Sequence, residues 1–156
     1  KLGDIFLKRF LREVFSSDKF GEIDQVDVEG MDLTSVEIQR EWKNIDVLIK
    51  LDNVVVCVEN KVLSKEHSNQ LKRYKDIIEH QFPNHRQTFV YLTPEGDSSE
   101  SESETYEPIS YEFIVNTLER IISVYGESLN GQVKNYIKDY ITIIKRRCII
   151  GISINF

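Results

Sequence analysis

The sequence lacks several features that would point to the commoner chemistries. Two cysteines, Cys57 and Cys148, cannot make a disulfide framework, so a secreted, stapled scaffold is excluded and a reducing cytoplasm is the expected setting. Three histidines, His67, His80 and His85, show no metal-ligand spacing. No Gly-rich phosphate loop and no nucleophile elbow occurs, which removes nucleotide-cradling and acyl-transfer readings. There is no run of eighteen apolar residues and no signal-peptide pattern, so no membrane partner is expected. An excess of positive charge is missing as well: the formal net charge is −6. Glu95, Asp97, Glu100, Glu102, Glu104 and Glu107 account for all of it, and the rest of the chain is neutral. Overall charge therefore permits a local basic groove without arguing for one. Lys1 in place of an initiating Met raises the expectation of a trimmed or fragmentary chain.

What is present is one domain's worth of ordinary globular sequence, 156 residues with 40% apolar and 29% charged content. Its most informative stretch runs from Ile45 to Val62. Two apolar, β-branched runs flank Asp52-Asn53, a tight-turn signal, and so read as a hairpin. A hairpin centred there pairs residues whose numbers sum to 105, which sets Asp46 opposite Glu59. The period-2 rule puts Glu59 and Lys61 on one face. Two like charges on facing strands are destabilising, and charges on apolar strands are rarely buried unless something binds them. A divalent cation resolves the conflict, since Mg²⁺ takes one or two carboxylates plus waters and substrate phosphate.

Asp46, twelve intervening residues and then Glu59-Asn60-Lys61 resemble the D…ExK core of the PD-(D/E)XK nuclease superfamily. Gln70 and Tyr74, nine residues further on at i and i+4 of a helical repeat, resemble the QxxxY motif of its RecB-like members. The hairpin sequence IDVLI…VENKV resembles a bacterial branch of the superfamily, as does YLTPEG followed by Pro108-Ile109-Ser110-Tyr111, and the likeness covers roughly residues 35–125. Ile45 stands where related enzymes often carry Pro, a departure that leaves the ligand set intact.

The resemblance implies a Mg²⁺-dependent nuclease acting on nucleic acid, DNA first, with Mn²⁺ able to substitute. Asp46 and Glu59 would hold the metal, with the Asn60 backbone carbonyl as a further oxygen. Glu37, nine residues before Asp46, and Glu13 on the first helix are further ligand candidates by analogy. Lys61 would act on the attacking water, and Gln70 and Tyr74 would fix the substrate or the lysine. Lys65, Lys72, Arg73, Lys75 and Arg86 could furnish a phosphate-tracking face. A catalytically inactive nucleic-acid- or protein-binding module on the same fold is the alternative. A homodimer is left open.

The remaining pattern predicts an α/β fold of restriction-endonuclease type in a single domain, 1–156. Antiparallel strands at 36–42, 45–51 and 54–62 begin a mixed central sheet, joined in parallel by 88–92, with helices on both sides. Helices are expected over residues 2–15, over 65–81 with Ser64 as N-cap, from Ser110 to about Val124, and after Gly126. Residues 21–33 show no convincing period. The Ser/Glu-rich stretch within 93–107 reads as an acidic flexible loop. The apolar tail 148–156 fits a sheet-edge strand, an interface or a truncated continuation equally well.

Overall fold

The computed structural model describes residues 2–21, 23–62, 66–67 and 69–150. Five strands form one sheet in the order β1-β2-β3-β4-β5: Glu37–Trp42, Ile45–Leu51, Val54–Asn60, Arg86–Thr93 and Glu107–Ser110. The first three are antiparallel, and β4 and β5 continue the sheet in parallel. This is the mixed sheet expected from the sequence, with flanking helices and one strand more. The additional strand, β5, holds four residues including Pro108, too short and too irregular for an alternation signal.

The hairpin register follows the turn. Leu51 pairs with Val54 and Val47 with Val58, so the pairs sum to 105, and Asp46 and Glu59 lie one position beyond the last of them. β3 is buried at six of its seven positions, as a central strand covered on both faces must be. One face carries the helix α3, Gln70–Gln81, whose Leu71, Tyr74 and Ile78 pack with Leu48, Val55, Cys57 and Phe89. The other face carries α1, Leu2–Val14, and α4, Tyr111–Tyr125. There Leu7, Leu11, Val14 and Ile114 meet Ile49, Val56, Val58 and Val90. Helix α5, Gly131–Ile144, packs on α4 through Ile141 and Ile144, and a π-helical turn follows over Lys145–Ile150. No helix among the described residues is long and apolar enough to cross a membrane.

Several boundaries differ from the expectation. α3 starts at Gln70, not near Lys65, because Asn69 takes a left-handed backbone (φ 63) that interrupts the helical path. Ser64 and Lys65 lie outside the described residues. β3 ends at Asn60, so Lys61 sits just past the strand. β4 begins two residues early, at Arg86, and ends at Thr93. Residues 21–33 contain a short helix α2, Gln25–Gly30, closed by an Asp24/Asp27 capping box with Asp at the position usually held by Glu or Gln. Of the tail, residues 151–156 lie outside the described residues, and its described beginning is helical rather than a strand.

The acidic segment between β4 and β5 is a run of hydrogen-bonded turns. Ser99 is buried and its hydroxyl accepts from the Glu102 amide at 2.8 Å. Glu66 accepts from the Glu100 amide at 2.9 Å and from the amide and hydroxyl of Ser101. Tyr106, fully buried, donates its hydroxyl to the Leu71 carbonyl at 3.0 Å and so ties the segment to α3. Composition suggested a stretch with no partners, since Ser and Glu offer little apolar area. The partners are polar, which composition does not reveal.

Candidate active site

The site lies where β2 and β3 run past the end of their pairing. Glu59 is 2% exposed and Lys61 7% exposed, so both charges are withdrawn from water. Burial of this kind costs several kcal/mol per ion unless partners repay it, so each partner counts. Glu59 Oε1 is 3.0 Å from Lys61 Nζ. Lys61 Nζ donates to Gln70 Oε1 at 2.7 Å, and Gln70 Nε2 donates to the Tyr74 hydroxyl at 2.8 Å. One relay of contacts thus runs from the carboxylate on β3 to the first turn of α3. Tyr74 serves two ends: its ring is core, and its hydroxyl anchors Gln70.

Asp46 accepts from the Asn60 amide through Oδ2 at 2.7 Å, which fixes its carboxylate over the strand end. It also stands within hydrogen-bonding reach of Glu59. Burial pushes the Glu59 carboxyl up to about 7; Lys61 pulls against this, and the neighbouring Asp46 carboxylate adds to the rise. Glu59 Oε2 is buried and has no hydrogen-bond partner among the described residues. Two facing carboxylates and one orphaned oxygen with no donor between them form a place that attracts a proton or a cation. Among the described residues no group of three or more His, Cys, Asp or Glu side chains converges. The donor set that remains, two carboxylates, suits a hard, oxygen-ligated divalent cation better than a metal needing His or Cys.

The other residues singled out from sequence lie elsewhere. Glu37 pairs with Lys50 in the strand register and its carboxylate is 3.9 Å from Lys50 Nζ, four positions along β1 from the residue facing Asp46. Glu13 is exposed near the end of α1. Neither joins Asp46 and Glu59 in an acidic cluster. Lys72 and Arg73 are exposed on α3 with Lys75 half-buried, Lys72 3.4 Å from Asp76 and the Arg73 guanidinium 5.5 Å from the Tyr74 ring. Arg86 opens β4 and donates its amide to Asn53 at 2.7 Å, at the hairpin-turn end of the sheet and so opposite Asn60.

Sequence reasoning missed the walls of the site. A cleft of about 810 Å³ opens from Asp46 and Asn60, bounded also by Arg40, Tyr111 and Tyr140. Tyr111 is the first residue of α4 and reaches the Asn60 side chain, its hydroxyl held above its ordinary pKa chiefly by burial and then by Tyr140. Only the parallel pairing of β5 with β4, which sets the start of α4 beside the end of β3, brings these residues together.

Comparison with curated proteins and with solved structures gives no match. The model of one protein family matches residues 1–142, which is most of the chain and includes every residue of the relay. The chain belongs to the PD-(D/E)XK nuclease superfamily.

Proposed function

We propose that the protein hydrolyses phosphodiester bonds of nucleic acid, DNA first, with Mg²⁺ as cofactor and Mn²⁺ as a substitute. Asp46 and Glu59 would hold the ion, with the Asn60 carbonyl as a further oxygen. The observation that carries the reading is Glu59 Oε2, buried, without a partner among the described residues, near a second carboxylate and beside a buried lysine. When bound, the ion supplies Lewis-acid polarisation of the phosphate and neutralises charge that builds on its oxygens.

The chain's own residues do the rest. Glu59 and Gln70 occupy two of the three N–H donors of Lys61, which aims the third. Lys61 Nζ would use it to orient the attacking water and help remove its proton. Gln70 and Tyr74 act as positioning residues: Gln70 holds the lysine directly, and Tyr74 acts on it through Gln70. Asp46, clamped by the Asn60 amide, would present its second oxygen without searching rotamers. Cys57 and Cys148 are both buried free thiols, a state that suits the reducing cytoplasm we assign to it.

The test is nicking of labelled DNA and RNA, single- and double-stranded, with Mg²⁺ or Mn²⁺, beside Lys61→Ala. Cleavage should need the metal, vanish on chelation and vanish in Lys61→Ala, while the variant still binds nucleic acid. Activity that persists in Lys61→Ala would come from a contaminant. Absence of cleavage on every substrate would leave the inactive binding module.

A further inference from the structure

The two flanks of the site are unlike. On the α5 flank the cleft shared with Asp46 and Asn60 carries Arg40 and Glu41, both exposed and opposite in charge, and the ring of Tyr140, 38% exposed. Tyr136, one helical turn earlier, is 75% exposed, so α5 presents two aromatic rings at i and i+4 on its outer face. Tyr111, between Tyr140 and Asn60, is buried and serves as wall rather than platform. On the β4 flank the surroundings are acidic. Tyr91 pairs with Glu59 in the parallel register, and its hydroxyl is held above its ordinary pKa by burial and then by Glu66, Glu59, Glu100 and Asp97. Glu66 is fixed there by the Glu100 and Ser101 amides.

We propose that the cleft takes a single strand, with an unpaired base beside the scissile phosphate stacked on Tyr140 and a neighbouring phosphate on Arg40. The proposal rests on the nuclease reading and narrows its substrate. A duplex lays phosphates on both sides of the reacting bond. Those on the β4 side would meet Glu66, Asp97 and Glu100, and opposed like charges are costly. A single strand can follow the Arg40 and Tyr140 flank alone. Base–aromatic stacking tolerates any base, and a stripe of rings beside one cationic residue is what such a strand needs. The cleft that holds Tyr140 opens from Asp46, so a strand stacked on that ring also reaches the site.

The experiment uses the full chain carrying Lys61→Ala, so that substrate survives, and fluorescence anisotropy with a labelled single-stranded oligonucleotide and with the blunt duplex of the same sequence. The single strand should bind at least ~10-fold tighter than the duplex, Tyr140→Ala should weaken it by roughly 10-fold, and Tyr140→Phe should keep it, because the π-face is what binds. Tyr140 is part exposed, so thermal melts of both variants should match the parent and a folding defect is recognisable. Equal or tighter duplex binding, or single-strand binding indifferent to Tyr140→Ala, overturns the proposal while metal-dependent cleavage by the parent leaves the nuclease reading standing. No metal-dependent cleavage by the parent overturns that reading first. A dimer that Tyr140→Ala splits, with oligonucleotide binding unchanged, gives the α5 face to a second copy and overturns the proposal.

Discussion

Replacing Glu59 by Gln isolates the electrostatic cost built into the site. In the folded chain the Glu59 carboxyl is pushed from its ordinary 4.5 up to about 7, chiefly by burial. Below the lower value the group is neutral in both folded and unfolded chains and costs nothing. As pH rises from there the unfolded chain releases its proton while the folded chain keeps it, so stability falls through the window and the loss is complete above about 7. At about 1.4 kcal/mol for each pH unit between the two values, the loss is roughly 3 kcal/mol, a large part of a small domain's stability. Gln carries no charge and has nearly the shape of the protonated acid. Glu59→Gln should therefore match the parent near pH 4, below both values, and exceed it near pH 8 by most of that ~3 kcal/mol.

Urea unfolding at both pH values, in chelator, measures it. The comparison across pH removes whatever the Gln does to packing or to Lys61, since near pH 4 the parent is largely neutral at this position in both folded and unfolded chains. Adding Mg²⁺ at pH 8 should then raise the parent's melting temperature and leave the variant's unchanged, because a cation replaces the proton that Glu59 lacks. Parallel pH curves for parent and variant would refute the reasoning, and a Mg²⁺ response in both would show that the ion binds elsewhere.

Two further outcomes follow from the packing around the site. Tyr106→Phe removes a buried hydroxyl that donates to the Leu71 carbonyl at 3.0 Å and should cost about 1–2 kcal/mol in denaturant melts, with the ring's packing kept. For a flexible loop without partners, a Gly/Ser linker in place of residues 97–104 would leave stability unchanged. With Ser99 buried and three donors on Glu66, it should instead cost on the order of 1–2 kcal/mol, and an unchanged melting temperature would return the segment to a loop without partners.

How much of this was legible in the sequence depended on whether the deciding interaction is local. The hairpin was legible because a tight turn fixes register by arithmetic, and the observed pairs from Leu51–Val54 to Val47–Val58 leave Asp46 and Glu59 side by side just beyond them. α3 was legible from Leu71, Tyr74 and Ile78, while its start was not, since a left-handed Asn69 ends the pattern without a composition signal. Glu37 shows the limit of spacing as an argument. Nine residues separate it from Asp46, yet antiparallel return of the chain carries it four positions away, to Lys50. Arg40, Tyr111 and Tyr140 come from three elements distant in sequence, and only the sheet order assembles them.

The oddity that first marks the sequence and the instability that Glu59→Gln would relieve have the same cause. A glutamate at the end of a valine strand is costly because nothing among the described residues completes its coordination: Lys61 satisfies one oxygen and the other has no partner there. Were the pair there for stability alone, a donor in place of Asp46 would serve better, since it would fill Oε2 and spare the repulsion. The chain instead spends hydrogen bonds on holding the conflict in place. Asn60 clamps Asp46, Gln70 steers Lys61 and Tyr74, rooted in the core, fixes Gln70. Every one of those bonds rigidifies a side chain around the unsatisfied oxygen without satisfying it. A fold that stiffens a defect rather than repairing it is arranged for what arrives there from outside. In the proposed reading that is a cation, and the rigid relay is what keeps Lys61 aimed at the water beside it.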